Sequence, residues 1–226
     1  MAATTPLKSV RDQIVSRLRG ELQSGHYPPG TPLREQPLAE RFGVSRMPIR
    51  HVLQQLIDEG LLVAKTNCGA TVAPPPPDAV RGLLMPMRVQ IETYALRVCF
   101  AGATGPLLLD WQRLLGPFRL ACEEGDRTAI FERDMDFHRA LLLRADLGDL
   151  LPLWTQIINK TTAFYEHDRL AREDLPVVHE VHVALLDAFR AGDVEAAVAA
   201  LSEHILNGEF NRRIHRRWHE AKAGRE

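Results

Sequence analysis

The sequence predicts a mainly α-helical chain: an N-terminal winged helix-turn-helix followed by an all-α bundle of about six or seven helices. Three observations carry this. Residues 1–73 show short apolar stripes broken by Gly and Pro, and they end in two β-prone runs. Ala73-Pro74-Pro75-Pro76-Pro77-Asp78 can continue neither a helix nor a sheet ladder and favours a stiff, extended spacer. Beyond it the helical period runs almost throughout, with no strand-like alternation. The expected division is residues 1–73, a Pro-rich linker at 74–79, and residues 80–226.

In the first region Val10, Ile14, Leu18 and Leu22 make one apolar stripe at four-residue spacing. Gly25 and Pro28-Pro29-Gly30 end that helix. Leu38, Ala39 and Phe42 face the core from a short second helix, and Gly43-Val44-Ser45 makes a tight turn. Ser45 is expected to cap a third helix, with Pro48 tolerated in its first turn. Ile49, Val52, Leu53 and Leu56 are its buried face, and Glu59-Gly60 stops it. Leu61–Ala64 and Ala70–Val72 read as two strands joined through Asn67-Cys68-Gly69. In the second region helices are expected near 78–101, 105–122, 126–144, 148–166, 174–190 and 193–220. Gly102, Gly125, Gly148 and Gly192 mark breaks, and Gly116-Pro117 a break or a kink.

Composition narrows the classes of function. The chain has 226 residues, 45% of them hydrophobic and 25% charged, as in ordinary globular proteins. No apolar run is long enough to span a bilayer, and Met1–Pro6 lacks the apolar core of a secretory signal. Cys68, Cys99 and Cys122 are odd in number and widely spaced, which fits neither a disulfide framework nor a Cys-x-x-Cys zinc site. A cytoplasmic protein is expected. The net charge of −1 hides an asymmetry. Residues 1–73 carry nine Lys/Arg against six Asp/Glu, and the remainder 19 against 23. A basic head on an acidic body suits a nucleic-acid module joined to a second function.

The stretch Leu38–Arg50 carries the nucleic-acid reading. A recognition helix presents its N-terminal residues to the major groove. Arg46 and Arg50 are four apart and share one face of the third helix, opposite its buried residues. Arginine bonds guanine bidentately or pairs with phosphate. Ser45 can reach a phosphate together with free backbone N–H groups. The wing from Lys65 to Gly69 can follow the DNA backbone or enter the minor groove. Two helix arginines alone would more often be solvated charges; the Gly-Val-Ser turn before them and the hairpin after them reverse that weighting.

A second constellation lies in the bundle. Asp134 and His138 are four apart on one helix, so they share a face; His182 and His204 fall on the last two helices. One carboxylate and three imidazoles can hold zinc first, with nickel, manganese or iron as alternatives. Taken singly, each of the nine histidines is more often structural than a ligand, and His167, His179, His215 and His219 are competitors. Spacing alone also leaves open a metalloenzyme with a DNA-binding head, in which the site would activate water. It equally allows a constitutive DNA-binding protein whose helical part only dimerises.

The head resembles the DNA-binding region of GntR-type bacterial regulators. The resemblance rests on Pro29-Gly30, Leu33-x-Glu35, Leu38-Ala39-Glu40, Gly43-Val44-Ser45-Arg46, Pro48-Ile49-Arg50, Glu59-Gly60-Leu61 and Gly69. It implies DNA contacts from Arg34, Glu35, Ser45, Arg46, Pro48, Arg50, Lys65 and Gly69, with Arg46 and Arg50 the principal ones. Two positions depart from it: Gln36 stands where many relatives have arginine, and His51 where many have an acid. The second region is similar to the FCD effector-binding domain of the FadR-like branch. Here the matching features are Arg88-x-x-x-Glu92, Asp134-x-x-x-His138, His182 ten residues before Gly192-Asp193, and His204 eleven after Asp193. Leu147-Gly148-Asp149 departs from the usual Gly-Asn break.

The second resemblance implies a metal bound by Asp134, His138, His182 and His204 that helps hold a small carboxylate effector. Arg88 is then a candidate anchor for that carboxylate, or the partner of Glu92 four residues on. Asn159, Thr162 and Tyr165 are further candidates for the cavity lining. The expected protein is a homodimeric, metabolite-responsive transcriptional regulator, with repression released by effector the commoner sense. It would bind double-stranded operator DNA and no membrane, and it would not be an enzyme.

Overall fold

The structure, a computed structural model, describes residues 9–23, 25–65, 69–102, 104–162 and 175–207. In the first part α1 (Val10–Gln23), α2 (Glu35–Phe42) and α3 (Arg46–Asp58) surround a core of Ile14, Val15, Leu18, Leu22, Leu38, Ile49, Val52 and Leu56. The four-residue spacing predicts Val10 as part of that stripe. It is exposed, because the helix only begins there, and Val15 takes the buried place. Gly43 closes α2 with φ of 66°, a left-handed position that suits glycine. Ser45 occupies the N-cap position of α3 in extended conformation, but its side chain makes no capping bond. The expected cap is therefore positional only, and the hydroxyl is not spent on α3.

The wing strands are β2 (Leu62–Lys65) and β3 (Gly69–Val72), each shifted about one residue from expectation. A third strand was not foreseen: β1 (Pro32–Leu33) pairs antiparallel with β3, giving the order β1-β3-β2. Two residues are too short to show a period of two, so no pattern could reveal it. This strand sets Arg34 and Glu35 between the wing and α3. Gly69 has φ of +83°, and a Cβ there would sit 2.7 Å from the Leu33 carbonyl oxygen. Close approach and backbone angle both require glycine at that position.

After Ala73–Pro77 the chain enters six helices among the described residues: α4 (Asp78–Ala101), α5 (Thr104–Glu124), α6 (Arg127–Arg144), α7 (Leu151–Thr162), α8 (Leu175–Arg190) and α9 (Val194–Asn207). Gly116-Pro117 does not break α5, which runs on through Pro117. Asp126 caps α6 by accepting from the Ala129 N–H at 3.0 Å, and Asp193 does the same for α9 through Ala196. At the end of α6 the left-handed residue is Asp146, with φ of 58°, while Gly148 opens a short 3-10 turn. The bundle core centres on Trp111. Its ring stacks between Phe137 and Phe189 at centroid distances of 4.7 and 4.3 Å, and its Nε1 donates to the Phe137 carbonyl. No helix among the described residues is long and apolar enough to cross a membrane.

Gly69→Ala is expected to destabilise the chain by more than Gly30→Ala. Gly30 has φ of +82° but open space around it, so alanine there adds backbone strain alone, about 1–2 kcal/mol. At Gly69 the Leu33 carbonyl clash adds to the same strain. Chemical denaturation of the two variants, followed by circular dichroism, checks the order.

Candidate functional sites

On the head, Glu35 gathers the arginines. Its carboxylate accepts from Arg46 Nε and Nη2 at 3.2 and 3.0 Å, and from Arg50 Nε and Nη2 at 2.7 and 3.1 Å. The Arg50 hydrogen bonds, then those of Arg46, pull the Glu35 carboxyl down to about 2. Its folded-state value lies below the ordinary one. The ion cluster is therefore intact above about pH 4.5 and is lost as pH falls towards 2. Both arginines stay exposed at the start of α3. Pro48 lies in the same first turn, and Arg34, Ser45, Lys65 and Gly69 are exposed around it. Gln36 donates to Glu40 at 2.7 Å, which leaves Arg34 as the nearby cation. His51 is exposed and continues the outward face of α3.

In the bundle, α6, α8 and α9 bring Asp134, His138, His182 and His204 together, and one ligand atom from each lies within 4.8 Å of all the others. His138 Nε2 and His204 Nε2 are 3.1 Å apart, and His182 Nε2 is 2.8 Å from Asp134 Oδ1. The other nitrogen is committed in two of the three rings, whereas His204 Nδ1 is buried without a hydrogen-bond partner among the described residues. His138 Nδ1 donates to Glu92 Oε2 at 2.6 Å, and His182 Nδ1 to the Val178 carbonyl at 2.8 Å. Such bonds fix the tautomer and aim the Nε2 lone pairs inward. Phe118 and Phe137 meet the His182 ring edge-on at 4.6 and 5.0 Å and hold its orientation. His179 packs against Phe118 instead, outside the cluster.

The electrostatics agree with a cation site. Burial opposes charge on Asp134, yet hydrogen bonds from His138 and His182 outweigh it and hold the carboxyl well below its usual range. Burial, then the charges of His182 and His138, keep His204 neutral, the form that ligates metals. Burial disfavours a charged His138, but Glu92 outweighs it and pushes the imidazole up to about 9. Nitrogens on one zinc at about 2.0–2.1 Å lie roughly 3–3.5 Å apart, and the 3.1 Å pair already has that spacing. The donor set fits a divalent metal.

Behind the cluster stands a residue whose reach the sequence did not show. Glu92 is fully buried and accepts from Arg88 Nε, His138 Nδ1 and Trp154 Nε1 at 2.8, 2.6 and 2.8 Å. The Arg88–Glu92 pair is the i, i+4 contact expected from spacing. The link to His138, 46 residues away, has no local signal. Asn159 is buried too, but its amide is bonded to Gln23 and to the Glu59 carbonyl of the head. Those bonds run to the head, not to the four-residue cluster. Tyr165 and the Thr162 side chain lie outside the described residues.

Residues 10–72 match the gntR family of bacterial regulatory proteins, and residues 84–207 match the FCD domain. This chain belongs to the GntR family, in the branch that carries an FCD domain. The probable D-xylose utilization operon transcriptional repressor of Paenarthrobacter nicotinovorans is 29% identical, covering 91% of this chain and 88% of that protein. The galactonate operon transcriptional repressor of Escherichia coli is also 29% identical, over 84% of this chain and 90% of that one. The solved structure of E. coli McbR/YncC shares the fold, with a TM-score of 0.74 and 24% identity over 88% of this chain and 94% of that one. The GntR protein is therefore a DNA-binding transcriptional regulator with an effector-binding domain, and its family is one of regulators and not of enzymes.

Glu92→Gln is expected to weaken metal binding about 10–100-fold, the usual effect of losing a carboxylate behind a ligating histidine. Competition with a chromophoric chelator measures it; wild-type affinity in a folded variant would show that Glu92 does not support the ligands.

Proposed function

We propose that the protein is a homodimeric repressor whose grip on operator DNA is set by a small organic carboxylate bound beside a divalent metal. The carrying observation is the convergence of four ligand atoms from three helices, with Glu92 backing His138. Asp134, His138, His182 and His204 would hold the metal, zinc before nickel, manganese or iron. The bound ion would supply a positive charge to which a carboxylate can attach. Arg88 donates Nε to Glu92, and its Nη groups would meet the other end of the acid. The galactonate repressor among the relatives is named for the operon of a sugar acid, which supports that chemical class. The proposed division of labour is a head to residue 73, a linker at 74–79 and an FCD-type body from residue 80.

Dimerisation is supported by α4. Val80, Leu83, Met87 and Tyr94 are exposed by 42, 64, 38 and 55%, and they follow one face of that helix. A second copy packed there would give the twofold pair that a near-palindromic operator requires. Leu83→Glu is expected to yield monomers in light scattering and to weaken operator binding; an unchanged dimer would move the interface elsewhere.

On DNA, Arg46→Ala and Arg50→Ala are expected to lower operator affinity about 5- to 150-fold each. Glu35→Gln releases both arginines without removing them. It is expected to keep binding to random duplex while narrowing the ratio between operator and random sequence. Fluorescence anisotropy with duplexes selected by the wild-type protein checks both. For the effector site, elemental analysis and thermal shift with metals and sugar acids are the test. Bound metal that is lost in His204→Ala, with stabilisation by acids only when metal is present, is the expected result.

A further inference from the structure

The head is fastened to the bundle by side-chain amides. Gln23, at the end of α1, donates Nε2 to Asn159 Oδ1 at 2.8 Å; Asn159 donates Nδ2 to the Glu59 carbonyl at 2.9 Å. One helical turn earlier on α7, Gln156 donates to the Asp58 carbonyl. Gln23 and Asn159 are 7 and 1% exposed, so each amide is removed from water and depends on the other. The grip falls on the C-terminal end of α3, the helix whose first turn carries Arg46 and Arg50. Glu59 is itself locked by Arg19 Nε at 2.7 Å and by Gln55 Nε2 at 3.0 Å. Its carbonyl thus moves with the head as one body. Gly20 of α1 also lies close against Thr128, on the same helix α6 that carries Asp134 and His138.

The other end of α7 is tied to the site. Trp154 donates Nε1 to Glu92, the carboxylate that holds His138. A helix of about 12 residues is a rigid rod. A shift of Glu92 on filling the site therefore reaches Asn159 as a displacement of that rod.

We propose that Asn159 is a positioning residue for the recognition helix: it couples occupancy of the Asp134/His138/His182/His204 site to the placement of the DNA-binding head. This rests on the metal-site reading above. It adds the residue through which the site acts on the head, and it requires that the filled site favour one head placement energetically.

The test uses the full chain with zinc added or removed by chelator. Two readouts are followed. One is amide hydrogen exchange at residues 58–62; the other is affinity for a duplex selected from a random pool by the wild-type protein. In the wild type, zinc is expected to change exchange at 58–62 and to change DNA affinity about fivefold or more. Asn159→Ala and Gln23→Ala are each expected to bind zinc with wild-type affinity; both responses disappear in Asn159→Ala and shrink in Gln23→Ala, which keeps the Asn159–Glu59 bond. The double variant is expected to behave like Asn159→Ala, because removing Asn159 already breaks its bond to Gln23. Variants that bind zinc and respond as the wild type does would overturn the coupling and leave the metal site standing. A wild type that binds zinc without either response would do the same. A wild type that binds no zinc or other divalent metal would overturn the coupling and the metal-site reading together.

Discussion

A carboxylate with no exposed surface is tolerable only when donors satisfy it, because an unpaired buried charge is strongly unfavourable. Glu92 meets that demand with three helices. Arg88 comes from its own helix α4, His138 from α6 and Trp154 from α7. Burial raises its pKa, and Arg88 and His138 bring it down to about 2. The ion pair therefore fixes the relative height of α4, α6 and α7, and the orientation of one candidate ligand ring, His138, depends on it. With His138 Nδ1 committed, only Nε2 can face His182, His204 and Asp134.

The head uses the same device in a wet setting. Glu35 holds two arginines as Glu92 holds Arg88 and His138, but the arginines are 60 and 57% exposed at the side chain. Surface pairs of this kind contribute little to stability. In the proposed DNA-bound state their use is orientation: two guanidinium groups would reach the DNA already arrayed, so less side-chain freedom would be lost on binding. The difference in burial separates the roles. Opening the Glu92 cluster disturbs the packing of three helices. Opening the Glu35 cluster changes what the arginines do and leaves the fold alone.

Much of this was readable from residues alone, and the omissions have physical reasons. Gly43, Gly69 and the Pro74–Pro77 run are local statements about backbone angles, so they mark turns without help from the fold. The i, i+4 spacing puts Asp134 beside His138, whereas His182 is preferred over His179 only through the resemblance to the FCD pattern. What was missed is non-local. β1 is two residues long and exists because β3 offers it a partner. Glu92 looked like half of an intrahelical pair, and nothing near it announces a bond to His138 or Trp154. Asn159 is a candidate cavity residue alongside the FCD resemblance, and no local pattern announces its bonds to the head. Its partners, Gln23 and the Glu59 carbonyl, lie more than 95 positions away in sequence.

The contrast between apolar and polar contacts bears on how such a regulator can move. Within the bundle, Trp111, Phe137 and Phe189 interlock at stacking distance, and a packed aromatic core resists sliding. Between head and bundle, the named hydrogen bonds are amide to amide and amide to carbonyl, beside the close packing of Gly20 on Thr128. A hydrogen bond exchanged with water on opening contributes only about 0.5–1.5 kcal/mol net. A junction built from a few such bonds is specific in direction, since each donor needs its acceptor in line, yet it can open at modest free energy. An apolar junction of similar extent would resist opening without defining one orientation. Control by a small ligand needs two head placements separated by no more than that ligand's differential affinity. Under the proposed coupling the amide junction at Asn159 suits that condition, whereas the Trp111 core does not.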